Sequence, residues 1–197
     1  MFKTDQYRKG DKGFTLIEMI VVLAIFSLLT TLILTNHARF GGAILLENLA
    51  YDIGLTVRKA QVYGIAVRSF GGADFDVGYG IHFKSATPTA YILFGDATED
   101  GLYEADQSEL VELNTMKGGF HIVDICATPS GLPETCGRET LDILFRRPEP
   151  DAFISANGVS GIANPGALHQ QGRVILGSPR GDQISVIVEA TGQIAIQ

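Results

Sequence analysis

The stretch FTLIEMIVVLAIFSLLTTLIL, residues 14–34, decides the fold of this 197-residue chain. It contains a single charged side chain, that of Glu18. With a rise of 1.5 Å per residue, a helix of this length spans about 32 Å, which is enough to cross the hydrocarbon core of a bilayer. Basic residues dominate residues 1–13, so the N-terminus is expected to stay in the cytoplasm. The sequence therefore predicts a single membrane-spanning helix.

Two ordinary kinds of segment have a similar composition, namely an uncleaved signal anchor and a secretory signal peptide. The signal peptide is disfavoured because the apolar run is long and because residues 34–38, LTNHA, offer no cleavage site of the small-x-small type. The signal anchor leaves Glu18 unexplained. A carboxylate within a membrane helix costs a few kcal/mol, so it usually has a function.

Gly13, Phe14 and Glu18 resemble the type IV prepilin cleavage motif, in which phenylalanine follows the glycine and a glutamate stands four residues later. The resemblance implies that a prepilin peptidase cuts after Gly13 and then methylates the new amine of Phe14. It also implies that Glu18 acts in assembly. The other implied partners are pilins or pseudopilins and an inner-membrane assembly platform. The implied location is first the bacterial inner membrane, as a single-pass protein, and then a periplasmic or cell-surface filament.

The chain beyond the membrane segment begins with a second helical pattern. Apolar residues at 46, 49, 50, 53, 57 and 60 fall on one face of a helix, which is expected to continue to about Tyr63 and to pack on something. The predicted organisation is a leader at 1–13, a transmembrane helix at 14–36, a continuing amphipathic helix and link at 37–69, and a globular β-rich domain at 70–197.

After residue 67 the apolar residues alternate with a period of two, which is typical of strands. A long helix followed by such runs predicts an α+β fold, with the helix packed on an antiparallel sheet. Residues 156–171 are rich in Gly, Asn and Gln and are predicted to be a loop, and residues 190–193 are predicted to form a hairpin turn. The predicted strands are residues 79–83, 91–94, 109–113, 120–125, 141–145, 173–176, 184–188 and 193–196.

These patterns are similar to the group of minor pseudopilin H and type IV minor pilin T. The similarity rests on the helical residues 49–60 and on the two closing runs at 141–145 and 184–188. It implies a pilin-like α+β fold and a minor structural subunit of a type IV pilus or of a type II secretion pseudopilus. An unassigned pilin-like protein has the same outline. The sequence does not distinguish a secretion pseudopilus from a type IV or competence pilus, nor a tip position from a shaft position.

The two cysteines, Cys126 and Cys136, enclose nine residues. After translocation this region faces an oxidising compartment, which favours a disulfide. Closure of so small a loop would stabilise the domain by roughly 2–3 kcal/mol. Two free buried thiols are the alternative.

The segment 96–104, DATEDGLYE, resembles the start of a calcium-binding loop. Oxygen-bearing side chains at alternate positions, followed by a glycine, suit a hard cation. Gln107 occupies the position where a bidentate glutamate is expected, and Glu109 follows two residues later. A solvated acidic turn is the alternative, and the sequence suggests no cofactor other than calcium. The candidate ligands are Asp96, Thr98, Asp100, Leu102 and Glu104.

The net charge of −7 argues against a nonspecific nucleic-acid binder, which needs cationic side chains to displace counterions. A DNA-binding minor pilin for natural transformation is the alternative function, although the arginines after residue 118 are interspersed with acids. The four histidines show no metal-ligand spacing, and no nucleophile elbow or phosphate-binding loop is recognisable, so the chain is not expected to be an enzyme. The arginines available to such a DNA surface are Arg138, Arg146, Arg147, Arg173 and Arg180.

Overall fold

The computed structural model of the chain describes residues 13–66, 70, 77–105 and 108–197, without the side chains of residues 35–41. Within it the chain divides into two compact units, Met1–Gly41 and Gly42–Gln197, and each is described by itself. The predicted leader lies outside the described residues except for Gly13. The predicted boundaries at residues 36 and 69 stay predictions.

The helix α1 spans Leu16–Ile65, and its first part is the apolar helix of the first unit. Leu16–Leu34 is long and apolar enough to cross a membrane, with a mean hydropathy of 2.6, and none of it is buried within the chain. The hydroxyls of Thr30 and Thr31 donate to the carbonyl oxygens of Phe26 and Ser27 at 2.7 and 2.8 Å. These polar groups therefore need no partner outside the helix.

In the second unit, the rest of α1 buries the face that the sequence predicts. Leu49 is only partly covered, whereas the neighbouring apolar side chains on this face are fully enclosed. Near the end of the helix, the side-chain Nε2 of Gln61 donates to the carbonyl oxygens of Pro150 and Gly192 at 2.9 and 3.3 Å, and so ties the helix to two loops. The buried residues of the face are Leu46, Ala50, Ile53, Val57 and Ala60.

The described residues form nine strands, all paired antiparallel, in two sheets. A five-stranded sheet has the order β3-β2-β1-β5-β6, and a four-stranded sheet has the order β4-β7-β8-β9. The strands are β1 Gly78–Lys84, β2 Ala90–Asp96, β3 Leu110–Thr115, β4 His121–Pro129, β5 Thr140–Phe145, β6 Ala152–Ala156, β7 His169–Gly177, β8 Gln183–Glu189 and β9 Ile194–Ile196.

One hydrophobic core joins α1 to both sheets. Ile81 and Leu93 come to it from the five-stranded sheet, and Val174 and Val186 come from the four-stranded sheet. The observed fold is therefore the predicted α+β arrangement of a helix on antiparallel sheets, as in pilins. The helix ends at Ile65, two residues after the predicted end.

The strand predictions are confirmed except at β6 and at the start of β7. β6 is a five-residue run that the sequence analysis missed, and it exists because it pairs with β5 along its whole length. The predicted loop at 156–171 is wrong at its end, since β7 begins at His169. The polar residues there are held by pairing with β4, and the side chain of Gln170 donates to Ser130 at 3.1 Å. The predicted hairpin turn at 190–193 is present between β8 and β9.

Candidate processing and assembly site

The membrane helix begins with a capping box formed by Thr15 and Glu18. The Glu18 carboxylate accepts hydrogen bonds from the backbone N–H and the hydroxyl of Thr15 at 2.9 and 2.8 Å. In return, the backbone N–H of Glu18 approaches the Thr15 hydroxyl oxygen at 3.4 Å. The spacing Thr-x-x-Glu is visible in the sequence, but the sequence analysis did not use it. In the uncut chain, the Glu18 carboxylate therefore accepts hydrogen bonds from Thr15 at the start of its own helix.

The predicted cleavage site lies just before this cap. Gly13 and Phe14 precede the helix, which starts at Leu16, and both are exposed. No atom outside the immediate chain neighbours lies within 4 Å of the position that a Cβ would take at Gly13. Both residues beside the predicted cut are therefore exposed, and a larger residue at Gly13 would meet no obstacle among the residues that the structure describes.

The part of α1 that leaves the membrane segment has a second apolar face. Ile44, Tyr51, Leu55 and Val62 are each more than half exposed. Their spacing of seven, four and seven residues places them in one stripe opposite the buried face. We call these four residues the outward stripe. A helix with apolar residues on two opposite faces has one face left for another partner.

In the structure, Cys126 and Cys136 form the disulfide that the sequence favours. Backbone hydrogen bonds between Ala127 and Thr135 close the same loop just inside the disulfide. The guanidinium of Arg173 pairs with Glu134 and lies 3.8 Å from the Cys126 sulfur. The loop is thus fixed to β7 as well as to itself.

The acidic loop after β2 is folded around two buried carboxylates, Asp96 and Glu109. Asp96 accepts the backbone N–H groups of Asp100 and Gly101 at 3.2 and 3.0 Å. Glu109 accepts those of Ala97 at 3.0 Å and of residue 104 at 2.9 Å. These buried acids therefore replace water as hydrogen-bond partners of the loop backbone.

The structure brings three of the five candidate calcium ligands together. The hydroxyl of Thr98 donates to Asp96 at 3.4 Å and to Asp100 at 3.3 Å. Leu102 contributes a backbone N–H to Asp100, and Glu104 contributes one to Glu109, so neither offers an oxygen ligand through these contacts. Gln107 lies outside the described residues.

Glu109, which is not among the predicted ligands, is the acid that joins this group. Thr98 also donates to Glu109, at 3.3 Å. The only signal for Glu109 in the sequence was its position two residues beyond the expected glutamate. Calcium binding stays a prediction.

If the loop binds calcium, the ion stabilises the folded chain by mass action. We expect millimolar calcium to raise the melting temperature of the protein, and Asp100→Ala to abolish that increase. Differential scanning calorimetry with and without a chelator measures the effect, with the exposed Asp151→Ala as the matched control. An unchanged melting temperature would leave the loop as an acidic turn held by its own hydrogen bonds.

A third buried acid, Asp142, pairs with His82 across β5 and β1 at 2.7 Å. It also accepts the backbone N–H of Tyr103 at 3.3 Å, so it fixes the acidic loop to the sheet. Burial raises the pKa of the Asp142 carboxyl. Burial, with the neighbouring charges of Glu109 and Asp100, also raises the pKa of Asp96 to about 6.

The raised pKa of Asp96 predicts how the free energy of unfolding changes with pH. The folded chain binds the Asp96 proton more tightly than the unfolded chain does, so this group stabilises the fold below about pH 4 and loses that contribution as the pH rises to about 6. We expect the free energy of unfolding of wild type, measured relative to Asp96→Asn, to fall across this range. Denaturant titrations at pH 4, 5, 6 and 7 test it. A wild-type curve parallel to the Asp96→Asn curve would contradict the prediction.

Several of the basic side chains are already paired with acids. Arg146 lies 3.6 Å from Glu99, and Lys59 pairs with Glu112. Arg173 pairs with Glu134 in the same way. At these positions the surface therefore alternates in charge and forms no continuous cationic stripe. Nothing in these contacts favours the DNA-binding alternative.

Residues 8–34 match the family model described as the prokaryotic N-terminal methylation motif. The chain therefore carries the N-terminal signal of type IV prepilin-like proteins, which confirms the resemblance to that motif. The roles of Gly13, Phe14 and Glu18 stay predictions. This motif supports a type IV pilin- or pseudopilin-like protein, and it implies processing by a prepilin peptidase and assembly with other pilins. No curated protein and no solved structure matches the chain.

Proposed function

We propose that this chain is a minor pilin or pseudopilin, a structural subunit of a type IV pilus or of a type II secretion pseudopilus. A prepilin peptidase cuts it between Gly13 and Phe14 and methylates the Phe14 amine. The subunit waits in the inner membrane as a single-pass protein and then passes, through the assembly platform, into a periplasmic or cell-surface filament. Its role is to pack and not to catalyse a reaction.

The observation that carries this proposal is the apolar helix Leu16–Leu34, which is unburied in the described part of the chain and lies within the matched methylation motif at residues 8–34. Such a surface is stable in a bilayer, or among helices of the same kind. Helix bundling in an apolar environment depends on close packing and interhelical contacts. Transfer from the bilayer to a filament core moves this helix from lipid to a bundle of similar apolar helices.

The outward stripe supports the same proposal for the part of α1 beyond the membrane. In water, four large apolar side chains in one row would be an unfavourable surface on an isolated domain. Packing against a neighbouring subunit would bury them.

Isolation of filaments tests the proposal, by shearing for a cell-surface pilus and from the periplasmic fraction for a pseudopilus. We expect the processed chain in the filament fraction, and we expect the full-length chain to remain in the membrane fraction of cells that lack the prepilin peptidase. A chain that stays in the membrane fraction of peptidase-containing cells, with filaments present, would contradict the proposed function.

A further inference from the structure

The disulfide joins Cys126 on β4 to Cys136 in the loop that follows, and the structure exposes its two ends unequally. Cys126 is fully buried, whereas Cys136 is exposed. In thiol–disulfide exchange, the attacked sulfur forms the new bond and the other sulfur leaves as a thiolate. A thiol from outside the chain can approach only the exposed end, so Cys136 is the sulfur that it attacks and Cys126 is the one that leaves.

A cation lies against the same two sulfurs. The Nη2 of Arg173 lies 3.8 Å from the Cys126 sulfur and 3.9 Å from the Cys136 sulfur. A sulfur in a closed disulfide is a weak hydrogen-bond acceptor, so the guanidinium gains little from it. A thiolate at Cys126 would place a full negative charge in the same buried contact, where the attraction is far stronger. Arg173 therefore favours the opened disulfide over the closed one.

Arg173 is held beside Cys126 by the sheet and by a second partner. In the antiparallel ladder of β4 and β7, Arg173 is the residue directly opposite Cys126. Its Nε donates to one oxygen of Glu134 at 2.9 Å, and its Nη2 donates to the other. A guanidinium has more N–H donors than one carboxylate uses, so the pair with Glu134 leaves donors for a thiolate. The cation is thus in place before the disulfide opens.

A carboxylate close to the sulfurs acts in the opposite direction. A carboxylate oxygen of Asp124 lies within 4.8 Å of both sulfurs. The backbone N–H groups of Ile125 and Gly137 donate to this carboxylate at 2.7 and 2.9 Å and hold it there. Its negative charge repels an incoming thiolate and disfavours a thiolate at Cys126. Removal of Arg173 and removal of Asp124 are therefore expected to change the rate of exchange in opposite directions.

We propose that the Cys126–Cys136 disulfide is an exchange site for a dithiol oxidoreductase, with Cys136 as the attacked sulfur and Arg173 as the positioning residue for the Cys126 thiolate. Such a partner is a protein that carries two adjacent thiols, and it is expected in the oxidising compartment. Residues 130–137 are all exposed, so a protein surface can reach Cys136. The inference concerns the second unit alone and goes beyond the proposed function, on which it does not depend.

The exchange runs in two steps. A thiolate of the partner forms a bond to the Cys136 sulfur, the Cys126–Cys136 bond breaks, and its electron pair stays on Cys126. The second thiolate of the partner then attacks the partner's own sulfur in the mixed disulfide and releases Cys136 as a thiolate. The partner is oxidised to a disulfide, and its two electrons reduce the disulfide of this chain. With the oxidised partner, the reverse sequence closes the loop.

Capture of the mixed disulfide tests the attacked sulfur and the class of partner. The probe is thioredoxin whose resolving cysteine is replaced by serine, so that it stays bound to the sulfur that it attacks. We expect the full chain, in detergent, to form a covalent complex in which peptide mapping finds the probe on Cys136 and a free thiol on Cys126. A probe found on Cys126 would overturn the assignment of the attacked sulfur, and the absence of any complex would overturn the exchange site.

The rate of opening tests the role of Arg173. Reduced thioredoxin opens the disulfide of the full chain, and maleimide labelling of the released thiols measures the rate. We expect Arg173→Gln to slow opening about tenfold, since exchange is faster when the leaving thiolate is better stabilised. Arg173→Lys keeps the charge and is expected to be intermediate. Asp124→Asn removes the opposing charge and is expected to open about threefold faster.

Glu134→Gln is the matched control for a merely structural role. It breaks the ion pair between Arg173 and the loop but keeps the guanidinium. If Arg173 only anchored the loop, Glu134→Gln and Arg173→Gln would both loosen it and make the disulfide more accessible, so both would open faster. We expect Glu134→Gln to open at least as fast as wild type and Arg173→Gln to open more slowly. Opening of Arg173→Gln at the wild-type rate or faster would overturn the role of Arg173.

Discussion

Replacing Gly13 with leucine is expected to leave the precursor uncut in the membrane. The peptidase must place the chain on both sides of the Gly13–Phe14 bond in its own site, and a glycine allows the closest approach of the backbone. We expect the rate of cleavage to fall by about a hundredfold or more, which corresponds to about 3 kcal/mol of lost transition-state stabilisation. Pulse-labelling followed by gel electrophoresis separates the precursor from the shorter mature chain.

The structure makes this test specific. A side chain at Gly13 has open space around it among the described residues, which argues against misfolding of the helix as the cause of a loss of cleavage. Gly10→Leu, three residues earlier in the leader, is the matched control and is expected to be cut. Normal cleavage of Gly13→Leu would place the cut elsewhere and would contradict the assignment of the motif.

Replacing Glu18 with valine is expected to leave cleavage intact and to reduce incorporation into filaments about tenfold or more. After cleavage, Phe14 carries a positively charged amine, and methylation does not remove this charge. In an apolar filament core, an unpaired charge costs several kcal/mol. The Glu18 carboxylate, on its own helix or on that of a neighbour, is the partner that this amine needs, and Glu18→Asp is expected to be intermediate.

A second variant is needed to separate charge from capping, because the Glu18 carboxylate also accepts hydrogen bonds from Thr15 in the uncut chain. Thr15→Val removes the hydroxyl of the cap but keeps the carboxylate. We expect Thr15→Val to be incorporated within about fivefold of wild type, since the loss of a helix cap costs about 1 kcal/mol. Equal losses for Thr15→Val and Glu18→Val, in sheared filaments compared with the membrane pool, would assign the effect to the cap and not to the charge.

The fold was largely predictable because its decisive signals are local. The membrane helix follows from uninterrupted apolar composition, and the buried face of α1 follows from the spacing of residues such as Ile53 and Val57. Most strands follow from alternation. β6 could not be predicted in this way, because its five residues depend on pairing with β5 and not on a pattern of their own.

The acidic loop was less predictable because its contacts are long-range. His82 and Asp142 are 60 residues apart in sequence and meet only because β1 and β5 are neighbours. The burial of Glu109 likewise depends on how the loop returns to β3. The spacing from Asp96 to Glu104 indicated an acidic oxygen cluster, but it could not show that backbone N–H groups would occupy those oxygens.

The measurement that tests the central claim most directly is mass spectrometry of the chain recovered from isolated filaments, whether these are sheared from the cell surface or taken from the periplasm. If the protein is a processed pilin-like subunit, its first residue is Phe14 and its mass includes one additional methyl group on the N-terminal amine. Recovery of a chain that still begins at Met1 from assembled filaments would contradict the claim.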